Sequence, residues 1–401
     1  MRFTSRLYAQ HLGWTFKKHW QTQGKRIPSD TGAARELEKF GINVKSPEDV
    51  VREGYKYVKE MFPNSHKNSS QWNGQSCYVY GNDNVLLEGL PQAQRLTNTV
   101  LIPGLPQVLQ DSIANMKVQS NVERNFQFAV MNAGIFDAEQ TLLPRIRNMD
   151  RPAFKYPRMF GPSYQRRNRI LINKLINECE KLASTEVSTQ RRIVDNPTFK
   201  VTLTNNECSL QMNLKADKII TSSKPLEPFK GKFDSQMPDL YPTKSTISLQ
   251  QENCYNTETK YPLNYEKYSH PHTVITFFDK ERLKNLHGSE ISLAQFQSRT
   301  LLSAFTVAAT RAKQLYGDTD LEALPKPIVI QSVQTDGSIF DFGVFQLNTL
   351  NIDERNHLKN YWFQGENMDL YKVCCYLKGQ PRLDGCNRNV LRHIVAFYNN
   401  L

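Results

Sequence analysis

The chain has 401 residues, of which 39% are hydrophobic and 22% charged, and it carries a formal net charge of +12. That length buries a substantial core in one large domain or two ordinary ones, and no apolar run approaches the roughly 20 residues that span a bilayer, which excludes a transmembrane helix. The charge points to an anionic partner (nucleic acid, acidic protein or membrane surface), with a merely basic soluble protein as the plain alternative. Seven irregularly spaced cysteines argue against a disulfide framework and fit a reducing compartment.

In residues 1–30, Arg2, Arg6, Lys17, Lys18, Lys25 and Arg26 all precede the first acid, Asp30. Phe3, Leu7, Leu12, Trp14 and Phe16 add apolar bulk. This acid-poor, amphipathic pattern predicts a mitochondrial targeting segment, with a basic arm on RNA as the alternative. Residues 31–74 read as a helical N-terminal extension and linker. Ser46-Pro47-Glu48-Asp49 starts a helix, Val51, Tyr55, Val58 and Phe62 share one face, and the polar stretch from Asn64 to Gly74 follows.

Residues 75–221 read as a first α+β lobe. Cys77–Tyr80 and Val85–Leu87 are strand candidates, and Ile172, Leu175, Ile176, Cys179 and Leu182 mark an amphipathic helix. Phe199, Val201 and Leu203, then Cys208, Leu210, Met212 and Leu214, predict a hairpin around Asn205-Asn206 with one buried and one wet face. Residues 222–262, rich in Ser, Pro, Lys and Asn, read as a linker or surface excursion. Residues 263–401 form a second α+β lobe. It holds a strand from Thr273 to Phe278, a buried helix from about Ser292 to Tyr316 stopped by Gly317, and a hairpin over 327–349. A last helix follows from Val390 to Tyr398, with Leu391, Ile394, Val395 and Tyr398 inward. Asp336-Gly337 is the dipeptide that a tight hairpin prefers. The fold class is therefore α+β (mixed), antiparallel hairpins packed with amphipathic helices in up to two lobes, with the strand order open.

No nucleotide-binding loop is present. Gly231-Lys232 is followed by Phe233, and Leu226 stands where a phosphate loop has its first glycine. There is no G-x-S-x-G elbow and no H-E-x-x-H helix. His270 and His272 point to one side of a strand, but a closed zinc site needs four ligands and no C-x-x-C lies nearby. Cys374 and Cys375 point to opposite faces. Asp336 is explained by its turn, and Asp341 reads as outward in an apolar alternation. No catalytic residue, metal ligand, cofactor or small-molecule substrate is assigned, and the chain reads as a non-enzyme.

The strongest partner signal is the stretch from Arg145 to Arg169. Arg145, Arg147, Arg151, Lys155, Arg158, Arg166, Arg167 and Arg169 stand against the single acid Asp150, with Tyr156 and Tyr164 among the interleaved aromatics. Pro152, Pro157 and Pro162 oppose a regular helix. Guanidinium forks suit phosphate oxygens and flat rings stack on bases, so an extended basic-aromatic loop fits folded RNA. A solvated basic loop with its aromatics in the local core is the alternative.

The run from Pro327 to Gly337, with Phe340, Phe342 and the stretch from Val344 to Thr349, resembles the family of the animal mitochondrial large-subunit ribosomal protein numbered thirty-seven in the mitochondria-specific series. Pro271-His272-Thr273, Arg191-Arg192-Ile193, Leu240-Tyr241-Pro242 and Gly104-Leu105-Pro106 are similar to it as well. The likeness runs from about Cys77 onward and is thin over Arg145–Arg169. It implies a non-catalytic structural protein of the mitochondrial ribosome, in the matrix. The partners it implies are large-subunit ribosomal RNA, a paralogous mitochondria-specific protein and other ribosomal proteins. Ile328, Ile330, Phe340, Phe342 and Phe345 on the hairpin are then expected at a protein interface, through a free strand edge. A mitochondrial RNA-binding assembly factor and an enzyme of unrecognised family are the alternatives.

Overall fold

The computed structural model describes residues 31–45, 72–135, 141–142, 153, 160–204, 209–229, 231, 236–264, 267–280, 282–285, 288–317, 322–353, 355–377 and 380–401. The expected targeting segment or basic arm, the helix over 48–62 and the Asn205-Asn206 turn lie outside them. The chain forms two units, Met1–Ser69 and Ser70–Leu401. In the first, helix α1 (Ala33–Lys39) follows Gly32 in the left-handed region and carries a Lys39–Glu36 pair at 2.8 Å.

In the second unit the order is β1 (Trp72–Tyr80), α2 (Leu90–Leu96), β2 (Thr99–Pro103), α3 (Gln107–Asn115), α4 (Ser120–Gly134), β3 (Thr141–Leu142), β4 (Phe160–Gly161), α5 (Tyr164–Leu182) and α6 (Thr185–Ser188). Then come β5 (Arg191–Asp195), β6 (Thr198–Thr204), β7 (Ser209–Lys215), β8 (Lys218–Ser222), β9 (Gln250–Cys254), β10 (His270–Phe277) and α7 (Leu293–Tyr316). The chain closes with β11 (Ile328–Thr335), β12 (Ile339–Leu347), β13 (Asn360–Gln364), β14 (Met368–Asp369), β15 (Val373–Leu377), β16 (Gln380–Asp384) and α8 (Arg388–Asn399). This is the expected α+β class.

An eight-stranded mixed sheet runs β2-β13-β12-β11-β10-β8-β5, with β14 also pairing β12. Its strands come from both sides of the 222–262 excursion, which itself supplies β9 and the buried Leu226 and Tyr261. A four-stranded sheet runs β6-β7-β1-β9. Helix α7 lies between the two sheets, against β6 and β7 on one side and β10, β11 and β12 on the other. The far face of the large sheet is covered by α3, α4, α5 and α8.

That position explains the composition of α7. A helix covered on every side must be apolar nearly all round. Phe296, Ala304, Phe305, Val307, Ala308 and Ala312 are buried, while Leu315 in the last turn is exposed. Two of its polar residues bond locally: the Thr306 and Thr310 hydroxyls donate to the carbonyls of Leu302 and Thr306. Ser292 and Gln295 form a capping box at the start, and Gly317, at φ 87°, ends the helix.

The hairpin pairs Ile328 with Leu347 through Thr335 with Phe340, as its alternation predicts. The expected free edge is absent, because β10 hydrogen-bonds to one side of the hairpin and β13 to the other. Ile330, Phe340, Phe342 and Phe345 are fully buried and Ile328 half-buried, so these residues hold the core. The large sheet's edges are β2 and β5.

Three further expectations change. Val85–Leu87 is not a strand: its carbonyls at Leu86 and Leu87 accept from the Gln295 side chain at 3.0 and 3.1 Å instead of from a neighbouring strand. The supposed wet face of β6–β7 is largely covered. Gln211 is buried and donates to Thr202 Oγ1 and to the Asn256 carbonyl, each at 2.9 Å. Asp341 is not outward but fully buried between α7 and the sheet, accepting from the Thr300 hydroxyl and from Gln364 Nε2 at 2.7 Å.

With only neutral donors beside it, burial pushes the Asp341 carboxyl up to about 7, against the opposing effect of those hydrogen bonds. The folded protein therefore keeps a proton that the unfolded chain releases near its ordinary value. The stabilisation from that proton is full below pH 4 and is lost as pH rises towards 7. Asp341→Asn mimics the protonated acid. Relative to wild type, the variant gains about 2 kcal/mol between pH 5 and pH 8 in urea unfolding. A difference that stays constant with pH would show that the carboxyl does not titrate there.

The His270-Pro271-His272 stretch serves the last helix. His272 Nε2 donates to the Asn400 carbonyl at 2.8 Å, with Nδ1 towards the Thr273 hydroxyl at 2.8 Å, a tautomer assigned from this network. Gln331 Nε2 donates to the Phe397 carbonyl at 2.9 Å. Arg191 donates to the Tyr398 carbonyl at 3.2 Å, to Ser222 Oγ at 2.7 Å and to the Asn400 carbonyl. Buried donors from β5, β10 and β11 thus satisfy the carbonyls that the end of α8 leaves open.

Candidate nucleic-acid interface

Of the basic-aromatic segment, Arg145, Arg147, Arg151, Lys155, Tyr156 and Arg158 lie outside the described residues. Tyr164, Arg166, Arg167 and Arg169 are described, and they form the first two turns of α5, not an extended loop. Pro162 and the extended Ser163 directly precede the helix. The first turn holds no acid, and the Ser163 side chain does not cap it. Three arginines at the positive end of a helix dipole oppose that dipole, and an anion would relieve them.

The four residues divide by face. Arg167 is half-buried, its guanidinium 5.9 Å from the Tyr164 ring centre. Beside it, Asn168 is buried against the tip of the β11–β12 hairpin. Gly337 there has φ +88°, and a Cβ on it would lie 2.4 Å from Asn168 Oδ1, so glycine is needed both for the turn and for the approach of the helix. The tip itself is rigid. Asp336 Oδ1 accepts from the Ser338 N–H and Oγ at 2.8 Å and from the Ile339 N–H at 2.7 Å, and Oδ2 pairs with Lys280. Burial alone would raise the Asp336 carboxyl, but Lys280 and the turn donors hold it below the ordinary range.

Arg166 and Arg169, three residues apart, both line a cleft of about 490 Å³. Lys215, Arg282 and Arg299 join them there from the end of β7, the stretch after β10 and helix α7. Nothing local in the sequence marks those three, since only the fold brings the segments together. Among the described residues, the part of the expected interface that the fold brings together is the outer side of the α5 start, which packs against the hairpin tip.

A family profile described as mitochondrial 28S ribosomal protein S30 (PDCD9) matches residues 203–401. The chain is also similar to proteins named large ribosomal subunit protein mL37. It is 29% identical to the one from Gallus gallus over 308 residues, covering 74% of this chain and 66% of the relative. It is 28% identical to that of Mus musculus, covering 74% and 67%, and 26% identical to that of Bos taurus, covering 74% and 66%. The chain thus spans about two thirds of the length of these relatives. The two names differ in ribosomal subunit, and the longer match is to the large-subunit proteins. Among the described residues no helix is long and apolar enough to cross a membrane. Over about three quarters of its length the chain is mL37-like, as its resemblance in the hairpin implied, and its C-terminal half matches the PDCD9 mitochondrial ribosomal family.

Proposed function

We propose that this protein is a non-catalytic structural component of the large subunit of the mitochondrial ribosome, in contact with ribosomal RNA and neighbouring proteins. The similarity to mL37 over 74% of the chain carries this reading. The net charge of +12 and the arginines on the outer side of the α5 start support its RNA contact. Arg145, Arg147, Arg151, Lys155, Tyr156 and Arg158 are proposed to contact the same RNA, and a paralogous mitochondria-specific protein is the proposed protein neighbour. The test is sedimentation of the tagged protein from mitochondria. It stays with the large subunit at moderate salt and leaves it on nuclease treatment. Migration with precursor particles only would replace this reading with that of an assembly factor.

The RNA contact has its own measurement. Phosphate contacts release counterions, so each one adds to the salt dependence of binding. Changing Arg166 and Arg169 together to glutamine weakens RNA binding and lowers the slope of log K against log salt by about 1.5. An unchanged slope would remove these two residues from the interface.

A further inference from the structure

We propose that the cleft beside the start of α5 seats a backbone phosphate of RNA, and that Asp217 on its wall limits how tightly that phosphate is held. The proposal rests on the RNA-contact reading above and assigns it a site. The cleft gathers Arg166, Arg169, Lys215, Arg282 and Arg299 against Asp83, Asp217 and Asp279, a surplus of positive charge. Its walls are fixed before any ligand arrives. Arg282 pairs with Asp83 at 2.8 Å, and the Lys215 backbone exchanges two 2.7 Å hydrogen bonds with the Asn82 side chain. Arg299 is buried, donates through Nη1 to the Asn84 carbonyl at 2.9 Å and stands 5.7 Å from the Phe278 ring centre.

Two features point to an anion. The buried Arg299 Nε has no hydrogen-bond partner, so this cation is incompletely satisfied by the protein. Ser163, at the uncapped α5 start, also lines the cleft, where the positive end of the helix adds to the arginines. A phosphodiester supplies one negative charge and two free acceptor oxygens, which suits a site built of guanidinium and ammonium donors. Asp217 stands against it. Its carboxyl accepts from the Phe277 N–H at 2.7 Å; burial raises it to about 6, against the opposing effect of that bond and of the nearby Arg169, Lys215 and Arg299 charges, so it is ionised at pH 7 and above. Ionised, it competes with the phosphate for the same cations.

The experiment measures binding of a fluorescent single-stranded oligouridylate of about twelve nucleotides to the full chain. Asp217→Asn keeps an oxygen for the Phe277 N–H and binds about fivefold tighter. Lys215→Glu, on an exposed side chain, binds about tenfold more weakly at the same unfolding midpoint. A gain on removing an acid is a result that a damaged fold does not give. Wild type that binds with a normal salt slope while both variants match it would overturn the cleft and leave the RNA-contact reading intact. Wild type that shows no salt-dependent binding would overturn that reading and the cleft with it. Binding of inorganic phosphate, measured by calorimetry, without any binding of the oligouridylate would reassign the site to a free anion and overturn the proposal.

Discussion

Gly343→Ala destabilises the protein by about 3 kcal/mol, at the severe end for a single added methyl group. Gly343 sits in β12 opposite Ser332 of β11 and Gln364 of β13. The Trp362 indole lies directly over it, and a Cβ would fall 2.1 Å from Cη2 and Cζ2 of that ring. The ring has nowhere to go. It is fully buried, 6.4 Å from the Phe345 ring centre, and its N–H donates to Gln364 Oε1 at 2.7 Å. Urea unfolding followed by circular dichroism checks the size of the effect. A second change tests the cause: Trp362→Leu costs stability alone but recovers part of the loss in the Gly343→Ala background. Strictly additive losses would rule out the overlap as the reason.

Arg191→Met releases the end of α8 and costs about 3 kcal/mol. The change takes the Arg191 donor from Ser222 Oγ and the Tyr398 carbonyl, and leaves the Asn400 carbonyl with His272 alone. It also alters acid sensitivity through His272. Burial, reinforced by the nearby Arg191 charge, pushes the His272 ring down to about 3, while its bond to Asn400 opposes the shift. The unfolded chain takes up that proton near its ordinary value, and the folded protein resists it. Stability from the neutral ring is therefore full above about pH 6.5 and is lost as pH falls towards 3, by at most about 1.4 kcal/mol per pH unit. Without the Arg191 charge the folded ring accepts its proton earlier, and the acid loss is smaller. Unfolding midpoints of both proteins at several pH values between 4 and 7.5 check this. An equal acid loss in wild type and variant would show that Arg191 does not act on His272.

The elements that the sequence made legible are those with local punctuation. Ser292 and Gly317 bracket α7, and Asp336-Gly337 marks the hairpin, so helix and turn follow from nearest neighbours. Asp341 was not legible because alternation assigns an outward face only where one face meets water. Here α7 covers one side of the sheet and α5 with α8 the other, so an apparently exposed position is buried. Val85–Leu87 misled for a related reason: the partner of its carbonyls is a side chain more than two hundred residues away. At the candidate interface, composition marked Arg166, Arg167 and Arg169 alike. It carried no sign that the hairpin tip takes Arg167 to one side and leaves the others on the cleft, or that Lys215, Arg282 and Arg299 complete it.

The placement of α7 between two sheets also limits how this sequence can vary in length. Each residue advances a helix by about 100°, so one inserted residue in its middle turns everything beyond it away from both sheets together. On a surface helix such a slip disturbs one seam and the free side absorbs it. Here Phe305 packs edge-on against Phe345 at 5.8 Å, the Lys313 ammonium donates to the Thr202 carbonyl at 2.7 Å, and no side is free. Gains and losses of residues are therefore tolerated in the connections, whereas the spacing from Ser292 to Gly317 acts as a fixed gauge to which both sheets are cut.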